Sequence, residues 1–176
     1  SSIQKVVMTT ALVSKQFIAA FGDAFKEAGR TGNKSVEFMT LPEEKGARLS
    51  QADCDRVDCV FIDRDLRFSE QLYTACIDAA LASKSIKWLH SASSGVWQQK
   101  FMHPLADRGV TITSSTGSNA EPVAQTGFAG LLMLARGFWG FAQGQHKHEW
   151  RPMRGKSLPP DLRGQTLLLI GVGAIG

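Results

Sequence analysis

Cysteine is scarce and unpatterned: Cys54, Cys59 and Cys76 form an odd set, none spaced as C-x-x-C, each within or beside an apolar segment. That argues against a disulfide framework and a thiolate metal site, and for buried thiols in a reducing compartment. No block of like charge is present either. The formal net charge is +4, yet Lys and Arg are spread along all 176 residues, so the basic arm that marks a nucleic-acid partner is missing. The start, SSIQKVVMTT, has one early Lys5 and too short an apolar run for a signal peptide, so a cytoplasmic chain with no export is expected. A long unbroken apolar run is also lacking. Residues 122–142 come nearest to a membrane span, but Arg136 falls within them and Gln125 and Thr126 add polarity. A helix buried between protein layers is the better reading, with no membrane partner.

What the sequence does hold is 43% hydrophobic residues in a strand-and-helix rhythm, enough for a sizeable core. Residues 5–9 predict a strand. Ser14 then caps a helix whose Phe17, Ile18, Phe21, Ala24, Phe25 and Ala28 recur at helical spacing, ended by Gly29 and Gly32. Strands follow at 36–40, 58–63, 87–90 and 110–113, with a weak helix at 49–57 and a stronger one at 69–83 carrying Leu72, Cys76, Ile77, Ala80 and Leu81. Residues 98–108 read as a helix that Pro104 breaks. Alternation of this kind implies right-handed crossovers and a parallel sheet covered on both faces. Residues 1–113 thus read as a doubly wound domain whose ligands sit at the carboxyl ends of its strands.

The loop SASSGVW follows the strand at 87–90. Its small residues can expose consecutive backbone N–H groups in a concavity that matches a carboxylate, although an ordinary Ser/Gly turn has the same composition. After the fifth strand, Ser118 or Asn119 can cap a long helix, with Glu121 and Pro122 in its first turn. Phe128, Leu131, Leu132, Leu134, Ala135, Phe138, Trp139 and Phe141 cover most of its circumference, which implies a second partner surface. Residues 143–163 turn polar and contain Pro152, Pro159 and Pro160, a connecting stretch. The last residues read GQTLLLIGVGAIG. Leu167, Leu168, Leu169 and Ile170 suit a strand buried on both faces, and Gly171, Gly173 and Gly176 then follow at the spacing of a dinucleotide-binding turn.

The ordered set Trp88-Leu89-His90-Ser91, Ser94-Gly95-Val96, Arg108-Gly109-Val110-Thr111-Ile112-Thr113, Glu121-Pro122-Val123-Ala124, Leu134-Ala135-Arg136-Gly137, Trp150, Leu162-Arg163-Gly164 and the glycine motif resembles the D-isomer-specific 2-hydroxyacid dehydrogenases. The likeness runs from about residue 86 onward. It implies an α/β fold: a flavodoxin-like substrate domain over 1–113, then a long helix and the first strand of a truncated Rossmann cofactor domain over 114–176. It also implies a substrate carboxylate held by Ser94, Gly95 and Val96. The pyrophosphate of NAD or NADP would be held by Gly171, Val172, Gly173, Ala174, Ile175 and Gly176, and a homodimer would form through the long helix.

Two departures accompany the resemblance. Trp97 stands where the family commonly has an acidic residue or Asn, and the family's catalytic Arg, Glu and His lie beyond the glycine motif. No catalytic residue is therefore assigned within these 176 residues, and the chain alone is expected to be inactive. His90 reads as a packed histidine, and His146 and His148, on a polar tail without a matching cysteine or carboxylate cluster, give no metal site. The function implied is hydride transfer between NAD(P)H and a small 2-keto acid, as in a glyoxylate/hydroxypyruvate reductase. The alternative is a non-catalytic shortened relative that serves as a ligand-binding or dimerising module.

Overall fold

A computed structural model describes residues 7–31 and 34–176. It divides the chain into two compact units, Ser1–Thr116 and Gly117–Gly176.

The first unit is built on one parallel sheet. Its strands are β1 (Val7–Leu12), β2 (Lys34–Met39), β3 (Cys59–Ile62), β4 (Trp88–Ser91) and β5 (Thr111–Ser114), in the spatial order β2-β1-β3-β4-β5. That order is flavodoxin-like, with the switch point between β1 and β3. Because side chains alternate along a strand, β3 sends Val60 and Ile62 to one face and Phe61 to the other. The first face forms the core: Val60, Ile62 and Leu89 pack with Cys76, Ala79 and Ala80 of helix α4 (Glu70–Ala82) and Met102 and Leu105 of α5 (Met102–Asp107). Cys54 of the short α2 (Gln51–Cys54) joins the same cluster. The opposite face carries aromatic rings. Phe17 of α1 (Lys15–Thr31) lies 4.7 Å from Phe61 and 6.3 Å from Phe38, and Phe61 stacks on His90 at 4.7 Å.

Capping explains where several helices begin. Ser14 accepts from the Phe17 N–H at 2.9 Å, as its position ahead of the periodic stretch leads one to expect. Ser69 accepts likewise from the Leu72 N–H. Pro104 does not break its helix: it is the third residue of α5, in the first turn, where the absent N–H would have had no intrahelical acceptor. α1 continues past Gly29 to Thr31; Gly32 lies outside the described residues, as do Lys5 and the side chain of Ala28. A five-residue helix, α3 (Arg64–Phe68), has no counterpart in the sequence reading; Asp63 caps it by accepting from the Leu66 N–H at 2.9 Å. Behind the sheet, fully buried Ser83 donates to the Val57 carbonyl at 3.0 Å and accepts from the Ser85 and Ile86 N–H groups. Arg108 closes the end of α4 by donating to the Leu81 carbonyl at 2.8 Å and to that of Ser83.

The second unit differs from expectation in two respects. The single helix expected over 122–142 is two helices, α6 (Ala120–Ala135) and α7 (Phe138–His146). Gly137 between them has φ 68°, a left-handed conformation that ends a helix and that glycine adopts without strain. A Cβ there would also meet the Met153 methyl at 2.5 Å. Leu167–Ile170 do not form a ladder strand: the four residues are exposed and pair with no strand among the described residues. A strand is defined by its neighbour, so apolar content alone leaves this stretch unpaired. No helix of the described residues is long and apolar enough to cross a membrane.

Candidate functional site

The carboxyl ends of β1 and β3 meet at the switch point. Ser14, after β1, donates to the Asp63 carboxylate after β3, and the same carboxylate caps α3, so one acid ties both loops. Beside them a cleft of ≈ 70 Å³ is lined by Ser14, Lys15, Gln16, Thr40, Leu41 and Asp65, among others.

The loop after β4 leaves the sheet from the next strand. Its base is pinned on three sides: the Ala92 N–H donates to the Ile62 carbonyl at 2.9 Å, the Ser93 N–H to the buried Ser91 hydroxyl at 3.3 Å, and the Ser115 N–H to the Ser91 carbonyl at 3.0 Å. Beyond that base the amides come free. The N–H groups of Ser94, Gly95 and Val96 find no acceptor among the described residues. Gly95 has φ 72° and ψ 33°, the left-handed conformation found where successive N–H groups make an anion-binding concavity. Val96 anchors the far side by burying its side chain in the core, and a 3-10 turn (Val96–Gln98) follows, with the Gln98 N–H donating to the Gly95 carbonyl at 3.2 Å. Ser94 and Gly95 are exposed. The side chain of Trp97 lies outside the described residues.

Neighbouring groups stiffen this corner. Tyr73 of α4 hydrogen-bonds Gln99, and the Gln99 N–H donates to the Val96 carbonyl at 3.1 Å. His90, one residue before the pinned base, has Nδ1 2.8 Å from the Thr113 hydroxyl and Nε2 2.9 Å from the Ser115 hydroxyl, with Phe61 stacked against it. Burial pushes its pKa below the ordinary histidine value. Both ring nitrogens are thus engaged, and His90 is a packed histidine that fixes the β4–β5 edge. Sequence reading missed Tyr73 and Gln99. Tyr73 and Gln99 are 26 positions apart, and only the single tyrosine of the chain could have drawn attention to one of them.

In the second unit the glycine motif forms a compact turn. Gly171 has φ 94°, and a Cβ on Gly176 would lie 2.4 Å from the Gly171 carbonyl oxygen, so the third glycine is required by close backbone approach. Gly173 has open space around it, and Val172 and Ile175 are exposed. A hollow of ≈ 590 Å³ separates the motif from Val123, Gly127, Phe128 and Leu131 of α6. The exposed backbone at Gly171 and Gly173 fits a pyrophosphate in chemistry: open peptide groups without side-chain obstruction. His146 ends α7 and His148 follows with φ 53°; among the described residues no group of three His, Cys, Asp or Glu stands together as a metal site.

No protein-family model and no curated protein matches the chain. Solved structures do. An NADPH-dependent glyoxylate/hydroxypyruvate reductase from Sinorhizobium meliloti, in complex with citrate, is 21% identical with a TM-score of 0.62, the match covering 98% of this chain and 48% of that one. A D-lactate dehydrogenase from Aquifex aeolicus complexed with NAD and lactic acid is 17% identical with a TM-score of 0.56, covering 96% and 45%. A phosphoglycerate oxidoreductase from Rhizobium etli is 18% identical with a TM-score of 0.54, covering 97% and 49%. The chain spans about half the length of these structures. Its structural neighbours are D-2-hydroxyacid dehydrogenases, and what it shares with them is the fold: a five-stranded, all-parallel α/β sheet of flavodoxin-like order.

Proposed function

We propose that this chain supplies the substrate loop and the opening turn of the cofactor site of a nicotinamide-dependent oxidoreductase. The reaction class is interconversion of a small 2-keto acid and its D-2-hydroxy acid, of the glyoxylate/hydroxypyruvate reductase kind. The observation that carries this reading is the run of unpaired amides at Ser94, Gly95 and Val96 on a loop pinned at both ends. Such donors suit a carboxylate, and rigid flanks reduce the ordering lost on binding. The shared fold with neighbours described as bound to NAD and lactic acid, or to citrate, supports the same class of ligand here.

In this mechanism the loop binds the carboxylate and so orients the adjoining carbonyl. Val96, buried, keeps the loop from following the ligand, and the Tyr73–Gln99 bond holds the residues just beyond. Gly171, Val172, Gly173, Ala174, Ile175 and Gly176 would hold the pyrophosphate of NAD or NADP through backbone N–H groups. The cofactor, when bound, supplies or accepts the hydride. No proton donor is assigned to a residue of this chain. The three free thiols suit a cytoplasmic enzyme.

The exposed Phe128, Leu134, Phe138, Trp139 and Phe141 on α6 and α7 support a homodimer through these helices. They equally favour the second reading, a ligand-binding or dimerising module without catalysis. Calorimetric titration with pyruvate and NADH separates the two. The dehydrogenase reading expects both to bind, Gly95→Val to weaken pyruvate selectively, and Gly173→Trp to weaken NADH selectively. Pyruvate binding without NADH binding favours the module.

A further inference from the structure

Beside the loop after β4, a row of polar groups crosses β4 and β5. The two strands are parallel, with Trp88 opposite Thr111, His90 opposite Thr113 and Ser91 opposite Ser114. Side chains alternate along a strand, so Trp88 and His90 share one face with Thr113 and with Ser115, the residue that follows β5. On that face the Trp88 indole N–H donates to the Thr113 hydroxyl at 2.8 Å. His90 Nδ1 lies 2.8 Å from the same hydroxyl, and Nε2 lies 2.9 Å from that of Ser115.

Counting hydrogens gives this row a direction. An indole nitrogen can only donate, while a hydroxyl has one hydrogen to give and two lone pairs to receive with. With the imidazole proton on Nδ1, Thr113 would take two donors, and its own hydrogen would have no acceptor among the described residues. With the proton on Nε2, Trp88 donates to Thr113, Thr113 to Nδ1, and Nε2–H to Ser115. Every hydrogen of the row but the last is then used. That last one belongs to the Ser115 hydroxyl, which has no other partner among the described residues. Linked donors polarise one another, so the hydroxyl at the end of the row is the stronger donor for it.

The row also runs toward the carboxyl ends of parallel strands, where such sheets receive ligands. The Ser115 N–H donates to the Ser91 carbonyl at 3.0 Å, which sets Ser115 at the base of the loop that carries the unpaired amides, with its side chain only part-buried. Resting on the carboxylate role of that loop, we propose that Ser115 is a further substrate-binding residue: its hydroxyl, aimed by the Trp88–Thr113–His90 row, donates to the carboxylate of the bound 2-keto acid. Thr113 and His90 are its positioning residues.

The test begins with the unaltered chain. Long-range 1H–15N correlation at about pH 8, where a histidine of lowered pKa is neutral, reads the His90 tautomer, its signal being identified by loss in His90→Gln. The proton is expected on Nε2; a proton on Nδ1 overturns the proposal, because the Ser115 hydroxyl would then be spent on the ring. Added pyruvate should move the Nε2 resonance with the same half-saturation as the Ser94, Gly95 and Val96 amides. Amides that saturate while Nε2 stays still overturn the role of Ser115 and leave the loop assignment standing. Amides that do not respond overturn both. Calorimetric titration supplies the magnitude: Ser115→Ala should weaken pyruvate about tenfold, the scale of one hydrogen bond to a charged group, while Ser115→Thr keeps the hydroxyl and the affinity. A Ser115→Ala chain that binds pyruvate as the unaltered chain does is the contrary result. The spectra of the unaltered chain decide the matter even if a variant misfolds.

Discussion

Replacing Gly95 by Val puts the two roles of one residue in conflict. At φ 72° and ψ 33° a side chain crowds the following carbonyl, which costs about 1–2 kcal/mol for an ordinary residue and more for a β-branched one. Direct crowding adds little, because the nearest atom to a Cβ would be the Gln98 Oε1 at 3.2 Å, the free end of a flexible side chain. Backbone strain is therefore the larger effect. If the strain is borne, the melting temperature of the first unit falls by roughly 5–10 °C. If it is relieved, the backbone rotates out of the left-handed region, and the free N–H groups of Ser94, Gly95 and Val96 cease to converge. In that second case pyruvate affinity drops at least about tenfold, the loss of one hydrogen bond to a charged group. Melting followed by circular dichroism, paired with pyruvate titration, measures both consequences. Unchanged melting together with unchanged affinity would refute the geometry and the role.

Ser83→Ala should cost about 2–4 kcal/mol, because it strands the Val57 carbonyl and the Ser85 and Ile86 N–H groups in the core; a loss under ~1 kcal/mol in urea titration contradicts this. His90 gives a pH dependence of defined sign. Its folded pKa is lowered by burial, so the unfolded chain binds the proton more readily; the contribution to stability is complete above about pH 6.5 and is lost as pH falls through the folded pKa. Urea midpoints above and below that window should differ more in the native chain than in His90→Gln, and an identical pH dependence in both would count against the assignment. Self-association should proceed through α6 and α7, where Leu134 is 80% and Trp139 67% exposed. Leu134→Glu with Trp139→Glu should shift light scattering toward monomer; a strictly monomeric unaltered chain would be the contrary result.

The strand rhythm of the first unit was legible because short strands alternate with helix-spaced apolar segments, and because Ser14 and Ser69 mark helix starts by their own hydrogen bonds. Local sequence carries such information. It does not carry pairing. Leu167–Ile170 have a strand's composition and no ladder partner among the described residues, while Pro104 is harmless only because α5 happens to start two residues before it. Gly137 was visible as a glycine within an apolar stretch, yet its left-handed turn and the Met153 methyl that leaves no room for a Cβ there depend on the folded backbone. Around the candidate site, Gly95 was readable from the chain, since a glycine between small residues after a strand suggests a turn. The placement of Arg67 over the Tyr73 ring and the bond from Tyr73 to Gln99 join three separate segments, and no local pattern announces them.

The central claim is that the free amides after β4 receive a carboxylate. Amide chemical shifts of the 15N-labelled chain, followed as pyruvate is added, test it most directly. The account predicts saturable shifts at Ser94, Gly95 and Val96, downfield as hydrogen-bond donors meet a carboxylate, with the pinned Ala92 amide moving less. Saturable shifts confined to other parts of the chain, with these three amides unmoved, would contradict it.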